Sequence, residues 1–100
     1  MKKFKVQYLS VAENDITDII DYISKDNPSA ALELIDKIDS CINELSEFPE
    51  IGKIPKDTRL KNLGYRILII DNYLVFYVIK NKEIEIRRIL HGKRKYEFLL

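Results

Sequence analysis

The sequence predicts an α+β fold: an N-terminal strand and an α-helical hairpin packed on a mostly antiparallel sheet (βααβββ), with a short C-terminal helix or tail. Between residues 10 and 48, apolar residues recur at helical spacing, which indicates two amphipathic helices. Between residues 65 and 90, three stretches are dense in β-branched and aromatic residues, which are typical of strands. One hundred residues suffice for one domain, so we expect a single domain over residues 1–100.

Two tight turns join the predicted strands into a meander. Asp71-Asn72 forms the first turn, because both side chains tolerate left-handed backbone angles. Residues 80–82 form the second turn. The middle strand is apolar on both faces, which indicates a central position covered on at least one side. The three predicted strands are Tyr65–Ile70, Tyr73–Ile79 and Glu83–Leu90.

The last of these strands contains a break in its alternation. Ile84 and Ile86 face inward, but the next inward residue is Ile89, which predicts a β-bulge. Arg87 and Arg88 are neighbours at this position, so their side chains should point to opposite faces of the sheet. We expect one of them to bind a carboxylate near the helices and the other to face solvent or a partner.

A strand and a helix are predicted at the N-terminus. Residues 4–8 alternate between apolar and polar types and include a lysine, which predicts a half-buried edge strand. The first helix is expected to run from about Ser10 to Lys25. Ser10 is expected to be its N-cap, and Glu13, three residues further on, would complete a capping box.

The second helix has clear signals at both ends. Asn27 is expected to cap it, with Pro28 at the first helical position, and Pro49 ends it. The short connection between the helices requires an antiparallel hairpin. Residues 50–62 are expected to form a loop. The apolar stripe of the second helix comprises Ala31, Leu34, Ile35, Ile38, Cys41, Ile42 and Leu45.

Composition limits the class of protein. No stretch of about 18 apolar residues occurs, so no membrane-spanning helix is expected. The N-terminus lacks the apolar region of a signal peptide, and the single cysteine, Cys41, cannot form an internal disulfide; we therefore expect a cytoplasmic protein. One cysteine and one histidine are too few for a Cys/His metal cluster, and we expect neither metal nor cofactor.

The net charge of +1 conceals an asymmetry between the two halves of the chain. Residues 1–50 carry five Lys or Arg against eleven Asp or Glu, whereas residues 51–100 carry twelve against five. Cations crowd near the C-terminus, which indicates binding to a polyanion or to an acidic protein. The alternative interpretation is that these cations form a charged, solvent-exposed edge and bind no partner. The clustered cations are Arg87, Arg88, Lys93, Arg94 and Lys95.

Three motifs carry a family resemblance: EFPEIGK at residues 47–53, NYLVFYVI at residues 72–79 and RRILHGKRKY at residues 87–96. With the βααβββ order, they resemble the RelE/ParE superfamily, the toxins of bacterial type II toxin–antitoxin modules. The resemblance implies a small toxin neutralised by a cognate antitoxin whose C-terminal segment wraps it. RelE-like members cleave messenger RNA on the ribosome without a metal, whereas ParE-like members act on DNA gyrase.

The residues favour the ParE-like branch. Metal-free RNA cleavage needs groups that move protons and stabilise the charged phosphorane. If the chain is an mRNA endoribonuclease, the resemblance implies Arg66, Arg94 and Tyr96 as its catalytic residues. However, Leu74 stands where RelE-like sequences carry an arginine on the central strand, and Leu100 stands near their catalytic tyrosine. A leucine cannot donate a hydrogen bond to a phosphate, so gyrase inhibition fits better.

A binding surface for the target or the antitoxin is expected along the C-terminal basic rim. His91 is the only histidine, and it is either a general base or, more simply, a structural residue at a strand end. Cys41 is expected to be a small core residue rather than a nucleophile. The expected binding residues are Arg87, Arg88, His91, Lys93, Arg94 and Lys95.

Overall fold

The computed structural model describes residues 3–92 and 100. Its elements confirm the α+β class and the predicted order, with one short helix in addition. A 3₁₀ turn, Pro49–Ile51, follows the helical hairpin. The strands and helices are β1 (Lys5–Tyr8), α1 (Ser10–Asp26), α2 (Pro28–Glu47), α3 (Thr58–Asn62), β2 (Tyr65–Ile70), β3 (Tyr73–Lys80) and β4 (Glu83–His91).

The four strands form one sheet in the order β1-β4-β3-β2. The meander β2–β3–β4 is antiparallel, and β1 adds in parallel to β4. The edge position predicted for β1 is confirmed; its direction and its neighbour were not predicted. At the other edge, Lys53 forms an isolated antiparallel bridge with Ile67 of β2. The chain therefore covers part of the β2 edge with a single residue.

The two turns of the meander lie at the positions that the sequence analysis predicted. Asp71 has a φ of 53° and Asn81 a φ of 56°, so the first residue of each turn is left-handed. This conformation is tolerated by Asn and Asp because their short polar side chains bond locally. The second turn is one residue shorter than predicted, because Lys80 still pairs with Glu83.

The predicted cap of α1 is wrong. Leu9, not Ser10, is the N-cap, and no side chain caps this helix end. The Leu9 N–H donates to the Ile86 carbonyl at 3.0 Å, which continues the β1 ladder and holds Leu9 extended. Ser10 is therefore already helical, and the Ser10–Glu13 capping box does not form.

The signals at the ends of α2 are confirmed. The Asn27 side chain accepts a hydrogen bond from the Ala30 N–H at 3.1 Å, and Pro28 occupies the first turn. The helix ends at Glu47, and Pro49 begins the 3₁₀ turn. The buried residues of α2 are Ala31, Leu34, Ile38, Leu45 and Ser46.

The sheet buries side chains on both faces, which explains why β3 is apolar throughout. On the helix-covered face, Val75 and Tyr77 of β3 pack against α1 and α2. On the opposite face, Phe76 and Val78 pack with Leu60 of α3. The predicted loop over residues 50–62 is thus partly wrong, since α3 is helical and places Leu60, at 0% exposure, in this second cluster.

No helix in the described part of the chain is both long and apolar enough to cross a membrane.

Candidate functional site

The acidic and the basic segments of the sequence form different parts of the fold. Residues 3–50 carry four Lys or Arg against eleven Asp or Glu, and most of them lie in α1 and α2. Residues 51–92 carry nine against four and form the other layer, with α3 and the meander. The segment that contains the helical hairpin is therefore acidic, and the segment that contains α3 and the meander is basic.

The β-bulge in β4 is confirmed and determines where the two neighbouring arginines point. Phe76 lies opposite Arg88 and Tyr77 opposite Ile86, which leaves Arg87 as the extra residue. A bulge locally reorients side chains and increases strand twist. Arg88 consequently reaches a helix, and Arg87 reaches the opposite face of the sheet.

Arg88 binds Asp15 of α1 through two parallel hydrogen bonds. Its Nε donates to Asp15 Oδ2 at 2.8 Å and its Nη2 donates to Oδ1 at 2.9 Å. The Ile89 N–H also donates to Asp15 Oδ2 at 3.0 Å, so the carboxylate links the bulge to α1. The hydrogen bonds to Asp15 raise the pKa of Arg88. The predicted arginine–carboxylate anchor is therefore confirmed.

Arg87 has different neighbours. Its Nη2 donates to Glu85 Oε1 at 2.9 Å, and its guanidinium lies 5.6 Å from the centroid of the Tyr65 ring. Tyr65 belongs to the second cluster, on the face away from the helical hairpin. The two arginines therefore contact opposite sides of the sheet, as predicted, and their role in partner binding stays a prediction.

Arg66 holds the turn that follows α2. Its Nη1 donates to the carbonyl oxygens of Glu50 at 3.1 Å and Gly52 at 3.0 Å. Arg66 lies opposite Tyr77 in the sheet, and both side chains reach the same turn. One nitrogen of the Arg66 guanidinium is therefore engaged by the main chain; its predicted contact with a substrate stays a prediction.

Tyr77 is a residue whose role the sequence analysis missed. Its side chain is 0% exposed; its hydroxyl donates to the Pro49 carbonyl at 2.7 Å and accepts from the Gly52 N–H at 2.9 Å. Burial raises the pKa of Tyr77, while the hydrogen bond from Gly52 opposes that shift. A tyrosine on an apolar strand carries no sequence signal for such a contact.

His91 lies at the exposed end of β4. Its ring contacts Tyr73 edge to face, with centroids 5.5 Å apart, beside a groove that includes Asp18, Ile19 and Tyr22. Gly92 follows, and its N–H donates to the Asn72 carbonyl at 2.8 Å. The predicted residues Lys93, Arg94, Lys95 and Tyr96 lie outside the described residues.

Leu100 is described and returns to the second face of the sheet. Its side chain packs against the cluster of Leu60, Phe76 and Leu90. Its main-chain oxygen accepts a hydrogen bond from Arg59 Nη1 at 2.8 Å. Both residues that flank the segment 93–99 are thus held by the folded domain.

Leu74 lines an apolar groove beside β2 and β3 on the second face. Ile69 and Ile54 are half exposed there, at 52% and 54%. Lys53 and Lys56 lie on the rim of the groove, and the Asp57 carboxylate accepts from the Leu60 N–H at 3.0 Å. We call this the apolar groove; its lining residues are Lys53, Ile54, Pro55, Lys56, Asp57, Ile67, Ile69 and Leu74.

The arginines of the sheet have different partners within the described ranges. The three arginines of the sheet are engaged at three separate places: Arg66 at the 3₁₀ turn, Arg87 over Tyr65 and Arg88 on α1. Residues 3–92 and 100 contain no group of three or more His, Cys, Asp or Glu that could hold a metal ion. Apolar surface with a cationic rim is suited to contact with an acidic, partly apolar partner.

Comparison with known proteins identifies the family. The family model described as the ParE toxin of the type II toxin–antitoxin system parDE matches residues 6–96. Toxin RelE2 of Caulobacter vibrioides is 30% identical over 80 residues, which cover 80% of this chain and 85% of that protein. The chain belongs to the ParE toxin family of type II toxin–antitoxin systems. The predicted membership of the RelE/ParE superfamily is confirmed.

Solved structures share the fold at lower sequence identity. A chain of the chromosomal ParDE toxin–antitoxin system from P. aeruginosa has a TM-score of 0.74 and 20% identity, covering 93% of this chain and 100% of that one. A chain of the toxin–antitoxin complex RelBE2 from Mycobacterium tuberculosis has a TM-score of 0.60 and 19% identity, covering 89% of this chain and 98% of that one. These similarities extend over most of the chain and support the fold.

Proposed function

We propose that this toxin acts in the cytoplasm, inhibits growth by binding DNA gyrase, and is neutralised by a cognate antitoxin. The observation that carries the choice of gyrase is the environment of Leu74. Its side chain lines an apolar groove with Ile54, Ile67 and Ile69. The Leu74 side chain gives no hydrogen-bond donor to a phosphate, whereas an exposed apolar surface of this kind is suited to contact with protein side chains.

The chemistry of RNA cleavage supports the same choice. The scissile phosphate gains charge in the transition state, so donors must already point at it. Removing one such donor costs on the order of 10²–10³ in rate. Leu74 supplies none, and Arg66 Nη1 is engaged by the carbonyls of Glu50 and Gly52. An active RNase would need Arg94 and Tyr96 to provide most of this stabilisation.

The alternative function is a ribosome-dependent, metal-free mRNA endoribonuclease. It is favoured by Arg94 in the basic ending of the sequence and by Tyr96, which could move a proton. Arg66 would be the third catalytic residue. This alternative predicts a specific cut in messenger RNA on the ribosome, which gyrase inhibition does not.

A cognate antitoxin is the expected regulatory partner. The structurally similar chains come from the ParDE system of P. aeruginosa and the RelBE2 toxin–antitoxin complex. In this chain, the basic layer formed by residues 51–92 would attract an acidic segment of an antitoxin. Arg87, which is partly exposed, lies on this layer.

Two assays with purified protein test the proposal. In the first, wild-type protein should block DNA supercoiling by gyrase; in the second, it should leave messenger RNA intact on programmed ribosomes. Reversal of Lys93, Arg94 and Lys95 to Glu should abolish inhibition of gyrase and of growth. Lys61→Glu, a reversal of one exposed cation on α3, is the control and should retain both activities.

Charge reversal is a better variant than truncation. Deletion of residues 92–100 would remove Leu100 from the second cluster and the hydrogen bond from Gly92 to Asn72, and would so perturb the fold. Codon-specific cleavage of ribosome-bound mRNA that is lost in Arg94→Ala would overturn the gyrase proposal in favour of the endoribonuclease.

A further inference from the structure

We propose that a groove between β1 and the helical hairpin, with a carboxylate from each helix in its lining, binds an arginine side chain of a basic protein partner. We call it the acidic groove; its lining residues are Tyr8, Glu13, Ile16, Thr17 and Asp39. The inference deepens the proposed function, on which it rests for the identity of the partner, DNA gyrase. It is carried by the two carboxylates, by the apolar surface beside them and by main-chain groups of β1.

Three elements form the acidic groove. Glu13, Ile16 and Thr17 are three and four residues apart on α1, so they share one face of that helix. Asp39 of α2 and Tyr8 of β1 complete the lining. The Thr17 hydroxyl donates to the main-chain oxygen of Glu13 at 3.1 Å, so this donor is not directed at the Glu13 carboxylate.

The two carboxylates of the acidic groove have no cationic partner among the described residues. Neither Glu13 nor Asp39 forms an ion pair or a side-chain hydrogen bond there. The groove lining contains no Lys or Arg. Burial raises the pKa of Tyr8, and the negative charge of Asp39 raises it further. A bound cation would offset the charge of both carboxylates, whereas an acidic segment would be repelled.

The cations nearest in the fold are directed elsewhere. Lys37 of α2 is paired at 3.1 Å with the carboxylate of the β2–β3 turn, and Arg88 is bonded to Asp15. Lys5 is on β1, but it is three residues from Tyr8 and therefore points to the other face of the sheet. Each of the two long helices carries one lysine against five Asp or Glu. The surroundings of the groove therefore also favour a basic partner.

The lining suits a guanidinium better than an ammonium group. A guanidinium is planar and has five N–H donors, so it can bond carboxylates on two sides and stack on an aromatic ring. Tyr8 supplies such a ring, and Ile16 supplies aliphatic surface; both are partly buried and pack on the main core cluster. The aliphatic stem of an arginine would cover this surface while its head reaches Glu13 and Asp39.

Tyr8 also has main-chain groups that the backbone of the bound segment can use. Alternate residues of a strand direct their N–H and C=O groups to the same side. Phe4 directs both groups away from β4, because its N–H donates to the Ser46 carbonyl at 2.9 Å and its oxygen accepts from the Ser46 hydroxyl at 2.7 Å. Tyr8, four residues further on, has the same orientation. Its N–H and C=O have no hydrogen-bond partner within the described ranges.

Peptides that differ in a single functional group test the acidic groove. The probe is an acetylated and amidated peptide of about six residues that alternates valine with arginine; in its counterparts citrulline or glutamate replaces arginine. Citrulline keeps the shape of arginine and lacks its charge. Titrated into the ¹⁵N-labelled full chain, the arginine peptide should shift the amide signals of Tyr8, Thr17 and Asp39. It should bind about tenfold more tightly than the citrulline peptide, and the glutamate peptide should not bind.

Two double variants with the same change in charge locate the site. Glu13→Gln with Asp39→Asn should weaken binding of the arginine peptide about tenfold, because the amides keep the shape of the groove and remove its charge. Asp21→Asn with Glu33→Gln changes one exposed carboxylate on each of the same helices outside the lining and should leave binding unchanged. An unperturbed spectrum shows that each variant remains folded.

The same variants connect the acidic groove to the target. In the supercoiling assay, Glu13→Gln with Asp39→Asn should raise the protein concentration for half-maximal inhibition of gyrase about tenfold, and the control pair should not. Equal binding of the arginine and citrulline peptides, equal losses in the two double variants, or undiminished inhibition of gyrase by the groove variant would overturn the inference. If the wild type binds the arginine peptide in the groove and does not affect gyrase, the arginine site stands and the proposed target alone is overturned.

Discussion

The amide of Gly52 lies 2.9 Å from the hydroxyl oxygen of Tyr77 and donates a hydrogen bond to it, although 25 residues separate them in sequence. The same hydroxyl donates to the Pro49 carbonyl at 2.7 Å. One buried side chain of the central strand therefore fixes the turn by which the chain passes from the helical hairpin to the other face of the sheet.

We predict that Gly52→Ala destabilises the protein. A Cβ on Gly52 would lie 2.7 Å from Tyr77 Cε1 and closer still to its hydroxyl oxygen, so side chain or turn must move. Overpacking of this kind costs about 1–3 kcal/mol. Urea denaturation measures the change. The same substitution in a Tyr77→Phe background should cost less, because the nearest atom is gone; equal costs in both backgrounds would contradict this explanation.

Tyr77 also predicts a dependence of stability on alkaline pH. Burial raises its pKa in the folded protein above the usual value of 10.0, so the folded state favours the neutral phenol. The stabilisation is present below the unfolded pKa and is lost as pH rises through the folded pKa. The free energy of unfolding should therefore fall above pH 10 in the wild type, and less steeply in Tyr77→Phe. Tyr8→Phe is a useful comparison, because burial raises that pKa too.

The Asp15–Arg88 pair should be important for stability. Their side chains are only 12% and 15% exposed, and Asp15 also accepts the Ile89 N–H. Removal of one partner from a mostly buried pair leaves the other charge unpaired, at a cost of about 3 kcal/mol or more. We expect this loss in Asp15→Ala, measured by thermal or urea unfolding. Asp18→Ala, at an exposed position on the same helix, is the control and should change stability little.

The α2 stripe makes the simplest test of the core. Ile38 is 7% exposed and packs in the cluster between the helices and the sheet. Ile38→Ala should therefore cost about 2–5 kcal/mol. Leu32 lies on the same helix but is 65% exposed, so Leu32→Ala should have an effect within about 0.5 kcal/mol. An unchanged denaturation midpoint for Ile38→Ala would show that this stripe does not carry the core.

Sequence reasoning succeeded where a local pattern determines the structure. Alternation and turn residues are local, so the strands and the bulge at Arg87 were predicted, as was the Asn27 cap. It failed where a distant contact decides. Ser10 loses the N-cap position because Leu9 is held extended by Ile86, 77 residues away, through a ladder hydrogen bond.

The short helix α3 and the site residues illustrate the same limit. With five residues, α3 is too short to show a periodic pattern in the sequence. Leu60 is buried because it packs against the second face of the sheet, which is a tertiary contact. The polar contacts of Arg66 and Tyr77 with the 3₁₀ turn are likewise tertiary. The charge asymmetry was readable from the sequence, whereas the pairing of Arg88 from the basic segment with Asp15 of α1 required the fold.

The last prediction concerns association with the antitoxin. Steering by opposite charge raises the rate at which two proteins meet, and salt screens this attraction beyond a Debye length, which is about 10 Å at 0.1 M ionic strength. The basic layer of residues 51–92 carries nine Lys or Arg against four Asp or Glu. We therefore expect the association rate constant with the cognate antitoxin to fall by about tenfold between about 0.05 M and about 0.5 M salt, with a smaller change in the dissociation rate constant.

Variants separate steering from contact in the same stopped-flow measurement. Double reversal of Lys53 and Lys56 to Glu should slow association at low salt and flatten its salt dependence, because the field that attracts an acidic segment is reduced. Glu33→Lys, an exposed change on the acidic helical layer, should not slow association. If the association rate constant did not depend on ionic strength, charge would not contribute to recognition of the antitoxin. Contact with the apolar groove would then be the remaining explanation.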